Sequence, residues 1–274
     1  MIIARTLQEL HDARTALGPV CFVPTMGALH DGHLALIAAA ETSGMPTAAS
    51  IFVNPTQFGP SEDFARYPRD ETADLAKLAA AGCALVWLPA VETMYPPQAA
   101  TMIHVNGPAT KWEGATRPGH FAGVATVVAK LFGQMQPSAA YFGEKDWQQI
   151  QVVRRMATDL HLPVRIVTVP TVRETDGLAR SSRNIYLSAA QRETAPALYA
   201  TLTRTAAAIT AGHDVPEALH AARQQLLQAG MDPDYIALVH AESLEPITTL
   251  THPARLLAAA KLGPVRLLDN IAVE

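Results

Sequence analysis

Cysteine is scarce in this chain of 274 residues: there are two, Cys21 and Cys83, each at or within an apolar strand-like run. Neither has metal-ligand spacing, and so isolated a pair excludes a disulfide framework. Both read as reduced core residues of a cytoplasmic protein. Excess positive charge is lacking as well. A net charge of −4 offers no basic field for nucleic acid. No uncharged apolar run approaches membrane-spanning length, and Met1-Ile2-Ile3, followed quickly by Arg5 and a helix, predicts no signal peptide. Convincing repeats and disordered tails are also missing. Nor is there a Ser-His-Asp or Cys-His constellation of the kind that activates a protein nucleophile.

What is present is apolar content of 49%, enough over this length for about two domains. Thr6-Leu7-Gln8-Glu9 is a capping-box pattern opening a helix that Gly18-Pro19 stops. Strands are predicted at residues 20–23, 47–53, 83–88, 139–142 and 164–169. Helices are predicted from Leu34 to near Gly44 and over 70–81, 121–136 and 147–160. The stretch 90–118 reads as irregular, with one short strand near Met102-Ile103-His104-Val105. Strands alternating with helices predict an α/β fold, a Rossmann-like parallel sheet with helices on both faces. After Pro170 the texture changes. Thr171 to Asn184 is polar, and Ser188-Ala189-Ala190-Gln191 opens a long alanine-rich helix to about Ala211. A second helix with Pro216 in its first turn ends at Gly230, and apolar runs follow at 235–240, 255–261 and 265–271. Helices followed by strands predict a smaller C-terminal α+β domain, dividing the chain into 1–170 and 171–274.

The most informative stretch is Pro24-Thr25-Met26-Gly27-Ala28-Leu29-His30-Asp31-Gly32-His33, lying between a predicted strand and a predicted helix. Gly27 permits a sharp turn, and Gly32 lets a ligand approach the backbone. His30 and His33, three residues apart, fall on one face of a first helical turn, where unpaired N–H groups and the positive end of the helix dipole collect. That arrangement suits a phosphate group undergoing attack.

His30-Asp31-Gly32-His33 after an apolar strand resembles the His-x-Gly-His signature of the nucleotidyltransferase superfamily. The longer string resembles the pantoate–β-alanine ligase family. The similarity continues through Phe52-Val53-Asn54-Pro55-Thr56-Gln57-Phe58, Arg117-Pro118-Gly119-His120-Phe121, Gly143-Glu144-Lys145-Asp146-Trp147-Gln148-Gln149 and Ser181-Ser182-Arg183-Asn184, in family order.

The resemblance implies an ATP-dependent condensation of pantoate with β-alanine through a pantoyl adenylate. It makes ATP a substrate with Mg2+ and implies a homodimer whose C-terminal domain closes over ATP; the charge and the lack of long apolar runs predict a cytoplasmic protein with neither nucleic-acid nor membrane partners. It makes His33 the proton donor, with His30 and Lys145 beside it in catalysis. The implied ATP set is Met26, Gly27, Ala28, Leu29, His30, Asp31, Gly32, His33, Gly143, Glu144, Lys145, Asp146, Val172, Arg180, Ser181, Ser182 and Arg183. Gln57 and Gln149 are the implied pantoate ligands, with Gln57 also facing β-alanine. Arg180 stands where the family usually has an apolar residue, so its backbone is carried into the ATP set more readily than its side chain. Metal ligands are not identified; Asp74, in a helix pattern, reads more readily as a solvated carboxylate than as a magnesium ligand. Arg117 and His120 receive no role, and the remaining histidines read as structural. Two rivals stay open: a nucleotidyltransferase with another acceptor, and a nucleotide sensor without turnover.

Overall fold

A computed structural model describes residues 1–60 and 62–274. In chain order the elements are β1 (Ile2–Ala4), α1 (Leu7–Leu17), β2 (Cys21–Thr25), α2 (Asp31–Glu41), β3 (Thr47–Ile51), α3 (Glu71–Ala80) and β4 (Leu85–Trp87). Next come α4 (Val91–Met94), α5 (Glu113–Thr116), α6 (His120–Met135), β5 (Ala139–Gly143), α7 (Trp147–Asp159) and β6 (Arg165–Val169). The chain ends with α8 (Ala189–Thr194), α9 (Ala197–Thr210), α10 (Val215–Gln228), β7 (Asp232–His240), β8 (Ala254–Leu262) and β9 (Val265–Val273). They form two compact units: Met1–Gly143 with Gln148–Pro170, and Glu144–Trp147 with Thr171–Glu274.

The first unit is a six-stranded parallel sheet in the order β1-β4-β3-β2-β5-β6. Its central strands are apolar at nearly every position because both faces are covered. Cys21, Val23, Ala49, Val86 and Tyr141 pack with Leu36 and Ile37 of α2 and Leu78 of α3. Trp87 alternates to the other face, where its indole N–H donates to Gln134 of α6 at 3.0 Å. The capping box of Thr6 and Glu9 starts α1. Strand order runs outward from β2 in both directions, which places the switch point between β2 and β5. Ligands of such sheets bind beyond the carboxyl ends of the strands at that point.

The second unit is an antiparallel sheet, β7-β8-β9, with α8, α9 and α10. Leu256, Ala258 and Ala260 of β8 and Leu267 of β9 face a core shared with Leu198, Leu202 and Ile209 of α9 and Leu226 of α10. The segment Glu144–Trp147, far away in sequence, belongs to this unit, so the first unit is not the continuous 1–170 segment expected from texture.

Three further expectations need correction. Residues 102–105 form no strand; the Ile103 N–H instead donates to the Thr126 hydroxyl of α6 at 2.9 Å. The helix expected from Ser188 to Ala211 is two helices. The capping box of Ser188 and Gln191 starts α8, but Pro196 lacks an N–H and cannot sit inside a helix, so α9 begins after it. The first edge strand, β1, was not expected, because three residues are too few for a periodic signal. No described helix is long and apolar enough to cross a membrane.

Candidate active site

β2 ends at Thr25, and the chain then turns with Gly27 at φ 78° and Ala28 at φ 51°. A side chain at Gly27 would be strained by that φ, and its Cβ would lie 2.8 Å from an Asp74 oxygen. Asp74, in α3, is 2% exposed, and its two oxygens accept the N–H groups of Ala28 and Leu29, each at 2.8 Å. The expectation of a solvated carboxylate is therefore overturned: the charge is buried, and two backbone donors compensate it. One turn along α3, the Lys77 ammonium donates to the Leu29 carbonyl at 2.6 Å.

His30 caps α2. Its Nδ1 accepts the Gly32 N–H at 3.1 Å, while Nδ1 of His33 accepts the His30 N–H at 3.3 Å. The ring centroids are 4.1 Å apart. An imidazole nitrogen that accepts carries no proton, so the bonding pattern assigns each neutral ring its proton at Nε2. The two rings are thereby set as N–H donors at the start of α2, where the helix dipole favours an anion. Asp31 and Gly32 form the first residues of that helix.

Gln57 lies in a turn after β3. Its Oε1 accepts from the amide of Asn54 at 3.1 Å, and its Nε2 donates to the Met26 sulfur at 3.0 Å, which ties the two loops together. Asn54 is buried and also accepts from the hydroxyls of Tyr95 (2.8 Å) and Thr56 (2.9 Å). Gly123 of α6 is required here, since a Cβ would lie 2.3 Å from the Thr56 carbonyl oxygen. Arg117 and His120 acquire a role. Arg117 forks onto Glu62 at 2.7 and 2.6 Å and reaches His120 Nε2 at 3.1 Å. A guanidinium can only donate, so Nε2 accepts and Nδ1 donates to the Gln57 carbonyl, 2.9 Å away. Burial, reinforced by the Arg117 charge, pushes the His120 pKa down to about 4, which keeps the ring neutral.

Gln149 is half-buried in the first turn of α7. Its neighbour Gln148 is buried and committed to the backbone, accepting from Glu113 N–H at 3.0 Å and donating to the carbonyls of Pro108 (2.8 Å) and Lys111 (2.7 Å). Of the two amides, Gln149 is the one with freedom to meet a ligand.

In the second unit Glu144, Lys145 and Asp146 form one 3-10 turn directly after Gly143, with the Lys145 ammonium 3.5 Å from the Asp146 carboxylate. Val172 and Arg180 pair through the Arg180 N–H (2.9 Å), and the Arg180 guanidinium lies 3.1 Å from Glu174 in the same hairpin. Ser181 caps the following turn, its hydroxyl accepting the Arg183 N–H at 3.3 Å, with Ser182 and Arg183 inside the turn. Within the first unit, then, the structure joins Met26 to Gln57 and His30 to His33. Within the second, Lys145 lies beside Asp146, Val172 pairs with Arg180, and Ser181 caps the turn that holds Ser182 and Arg183. Asn54 and Asp74 were missed as loop holders. The signal for Asn54 was its place before Pro55, a capping position; Asp74 had no local signal. Among the described residues no cluster of three or more His, Cys, Asp or Glu could hold a metal ion.

A family model described as Pantoate-beta-alanine ligase matches residues 2–272. Pantothenate synthetase of Acidiphilium cryptum is 58% identical over 278 residues, covering all of both chains. The crystal structure of pantothenate synthetase from Thermus thermophilus superposes with a TM-score of 0.95 at 51% identity, covering 100% of this chain and 99% of that one. The pantoate-beta-alanine ligase of Francisella tularensis, complexed with beta-gamma ATP and beta-alanine, matches with a TM-score of 0.85 at 33% identity, covering 99% of this chain and 97% of that one.

Proposed function

The chain belongs to the pantoate-beta-alanine ligase family, and from that membership we propose how its residues divide the work. It is an amide-forming ligase that joins pantoate to β-alanine at the expense of ATP. A carboxylate is a poor acyl donor. In the first step a pantoate oxygen attacks the α-phosphorus, giving pantoyl adenylate and pyrophosphate. The β-alanine amine then attacks the acyl carbon, an amide forms, and AMP leaves. Both nucleophiles come from substrates, so the protein contributes positioning and charge stabilisation.

The observation that carries the reading is the paired use of Nδ1 in His30 and His33 as backbone acceptors, which sets each ring's proton at Nε2, the nitrogen that would donate to a phosphate oxygen as negative charge moves onto it. His33 donates to the α-phosphate and His30 assists. Lys145 brings a mobile cation to the phosphates, and Ser181, Ser182 and Arg183 follow the departing pyrophosphate. Gly143, Glu144, Asp146, Val172 and the Arg180 backbone complete the nucleotide set with Met26 to Gly32. Gln57 and Gln149 hold pantoate, their neutral amides recognising hydroxyl and carboxylate without quenching the attacking oxygen. With no cluster of three or more His, Cys, Asp or Glu among the described residues to hold a metal ion, a Mg2+ accompanying ATP would be held mainly by the nucleotide's phosphates and would offset their charge. The family resemblance supports a homodimer. Burial pushes the Cys83 thiol up to about 11, which supports a protonated, inert thiol of the kind a reducing cytoplasm preserves.

The test is product analysis with ATP, pantoate and β-alanine against a panel of other hydroxy acids and amines. Pantothenate and AMP should form in equal amounts with the named pair. Faster turnover with a different acid would point to another acceptor on the same loops, and ATP binding without any product would make the chain a sensor.

A further inference from the structure

Asp269 and Asn270 are consecutive on β9, so their side chains leave opposite faces of the sheet. On one face, Asn270 directs both protons of its side-chain amide to consecutive carbonyls of the Lys145 turn: Glu144 O at 2.9 Å and Lys145 O at 2.8 Å. Its remaining acceptor, Oδ1, takes the Nε–H of Arg255 at 2.6 Å. Arg255 is 6% exposed, lies 3.6 Å above the Trp147 ring, and donates to the Glu144 carboxylate at 2.8 Å. The Trp147 indole in turn donates to the Ala241 carbonyl at 2.7 Å. On the other face, Asp269 takes the fork of Arg173 at 2.6 and 2.9 Å. Arg173 stacks on Tyr199 at 3.7 Å and holds the Gly177 carbonyl at 3.1 Å, in the hairpin that runs straight into Ser181. The Asn270 N–H also donates to Asp269 at 2.8 Å.

The turn is fixed at residues 144, 145 and 147, while the ammonium of Lys145 is left on its flexible stem, 3.5 Å from Asp146. A point charge on a four-carbon chain gains precision only through the backbone it hangs from. From this we infer that Asn270, braced by Arg255, is the positioning residue for Lys145. The adjacent Asp269 gives the Ser181–Arg183 loop the same origin, so one pair of strand residues sets the mutual placement of both groups. An apolar residue at 270 would leave two partly buried carbonyls without this donor, and any other donor would need two protons in one plane with an acceptor behind them. The inference rests on the reading that Lys145 serves adenylate formation.

The test is a double-mutant cycle on the single-turnover rate of pantoyl adenylate formation at saturating ATP and pantoate, in the parent, Asn270→Asp, Lys145→Ala and the double variant. Asn270→Asp is nearly isosteric and keeps the acceptor for Arg255, but it turns one carboxylate oxygen toward both carbonyls in place of the amide that donated to them. Its rate should fall about ten- to hundredfold, as misplacement of a reacting group does. In the Lys145→Ala background the same change should cost less than twofold, because the group it positions is gone. An undiminished penalty in that background would make Asn270 merely structural and overturn the proposal. A slow Lys145→Ala beside an unimpaired Asn270→Asp would also overturn it, while leaving the role of Lys145 intact. Lys145→Ala at the parent rate would remove the reading of Lys145 and this proposal with it. Should Asn270→Asp fail to fold, Arg255→Lys serves in its place: it keeps the charge but cannot reach Asn270 and Glu144 together. It should give a smaller defect that likewise disappears without Lys145, and a defect that persists would count against the proposal.

Discussion

The loop after β2 and the loop after β5 leave neighbouring parallel strands, yet they are held in different ways. The first is shaped mainly by its own sequence: a glycine at positive φ, two histidines that accept backbone N–H groups within three residues, and one buried carboxylate, Asp74, reaching in from α3. The second is a single 3-10 turn whose internal side-chain contact is Lys145 to Asp146. Its turn is tied by Asn270 and Arg255, more than a hundred positions later in the chain. In the proposed roles, a loop that presents fixed imidazole protons benefits from local hydrogen bonds that set the tautomer. In the same proposal, a loop that presents a swinging ammonium needs only its root fixed, which remote side chains can do.

That contrast can be broken at several points. The largest effect is expected at His33. Removing one preorganised donor typically costs about 10²–10³ in rate, so His33→Ala should slow adenylate formation by that much with its melting temperature nearly unchanged. A rate near the parent's would mean the local hydrogen bonds merely shape the loop. Asp74→Asn follows. It replaces a buried charged acceptor of two N–H groups by an amide with one acceptor oxygen, and hydrogen bonds to charged groups contribute about 1.5–3 kcal/mol. Urea unfolding should register a loss in that range, and adenylate formation should slow as the Ala28–Leu29 turn loosens. Unchanged stability would show that the motif holds itself without α3.

His120 gives a smaller, pH-dependent effect. Its folded pKa of about 4 lies below the unfolded value of 6.5, so between those values the unfolded chain binds the extra proton. Stability is therefore full above about pH 6.5 and falls as pH drops toward 4, with a slope of up to about 1.4 kcal/mol per pH unit from this group. His120→Gln, which keeps a donor and an acceptor, should flatten that slope in acid unfolding curves; an unaltered slope would assign it to other groups. The smallest effect belongs to Arg180. Its guanidinium is paired with Glu174, so Arg180→Leu should leave the Michaelis constant for ATP within a few-fold. A hundredfold rise in a folded variant would make it a phosphate ligand.

How much was legible in the sequence follows from the same contrast. The parallel sheet was readable because its strands are buried on both faces and need no alternation. The opening motif was readable because its glycines, histidines and cap lie within ten residues. Asp74 was misread because its partners are 46 and 45 positions away, and nothing in a helical pattern distinguishes a buried carboxylate from an exposed one. The membership of Glu144–Trp147 in the second unit was invisible for the same reason, since it depends on Arg255 and Asn270. The break at Pro196 was legible in principle: proline forbids the helix interior, and the alanine-rich pattern around it outweighed that signal.

The central claim is that activation of pantoate is a separate chemical step, made by donors on the protein before any amine arrives. Exchange of labelled pyrophosphate into ATP, measured with pantoate and without β-alanine, tests it most directly. Pantoate-dependent exchange should appear, with AMP accumulating steadily only once β-alanine is added. Exchange that requires β-alanine, in a preparation fully active with all three substrates, would contradict a free adenylate.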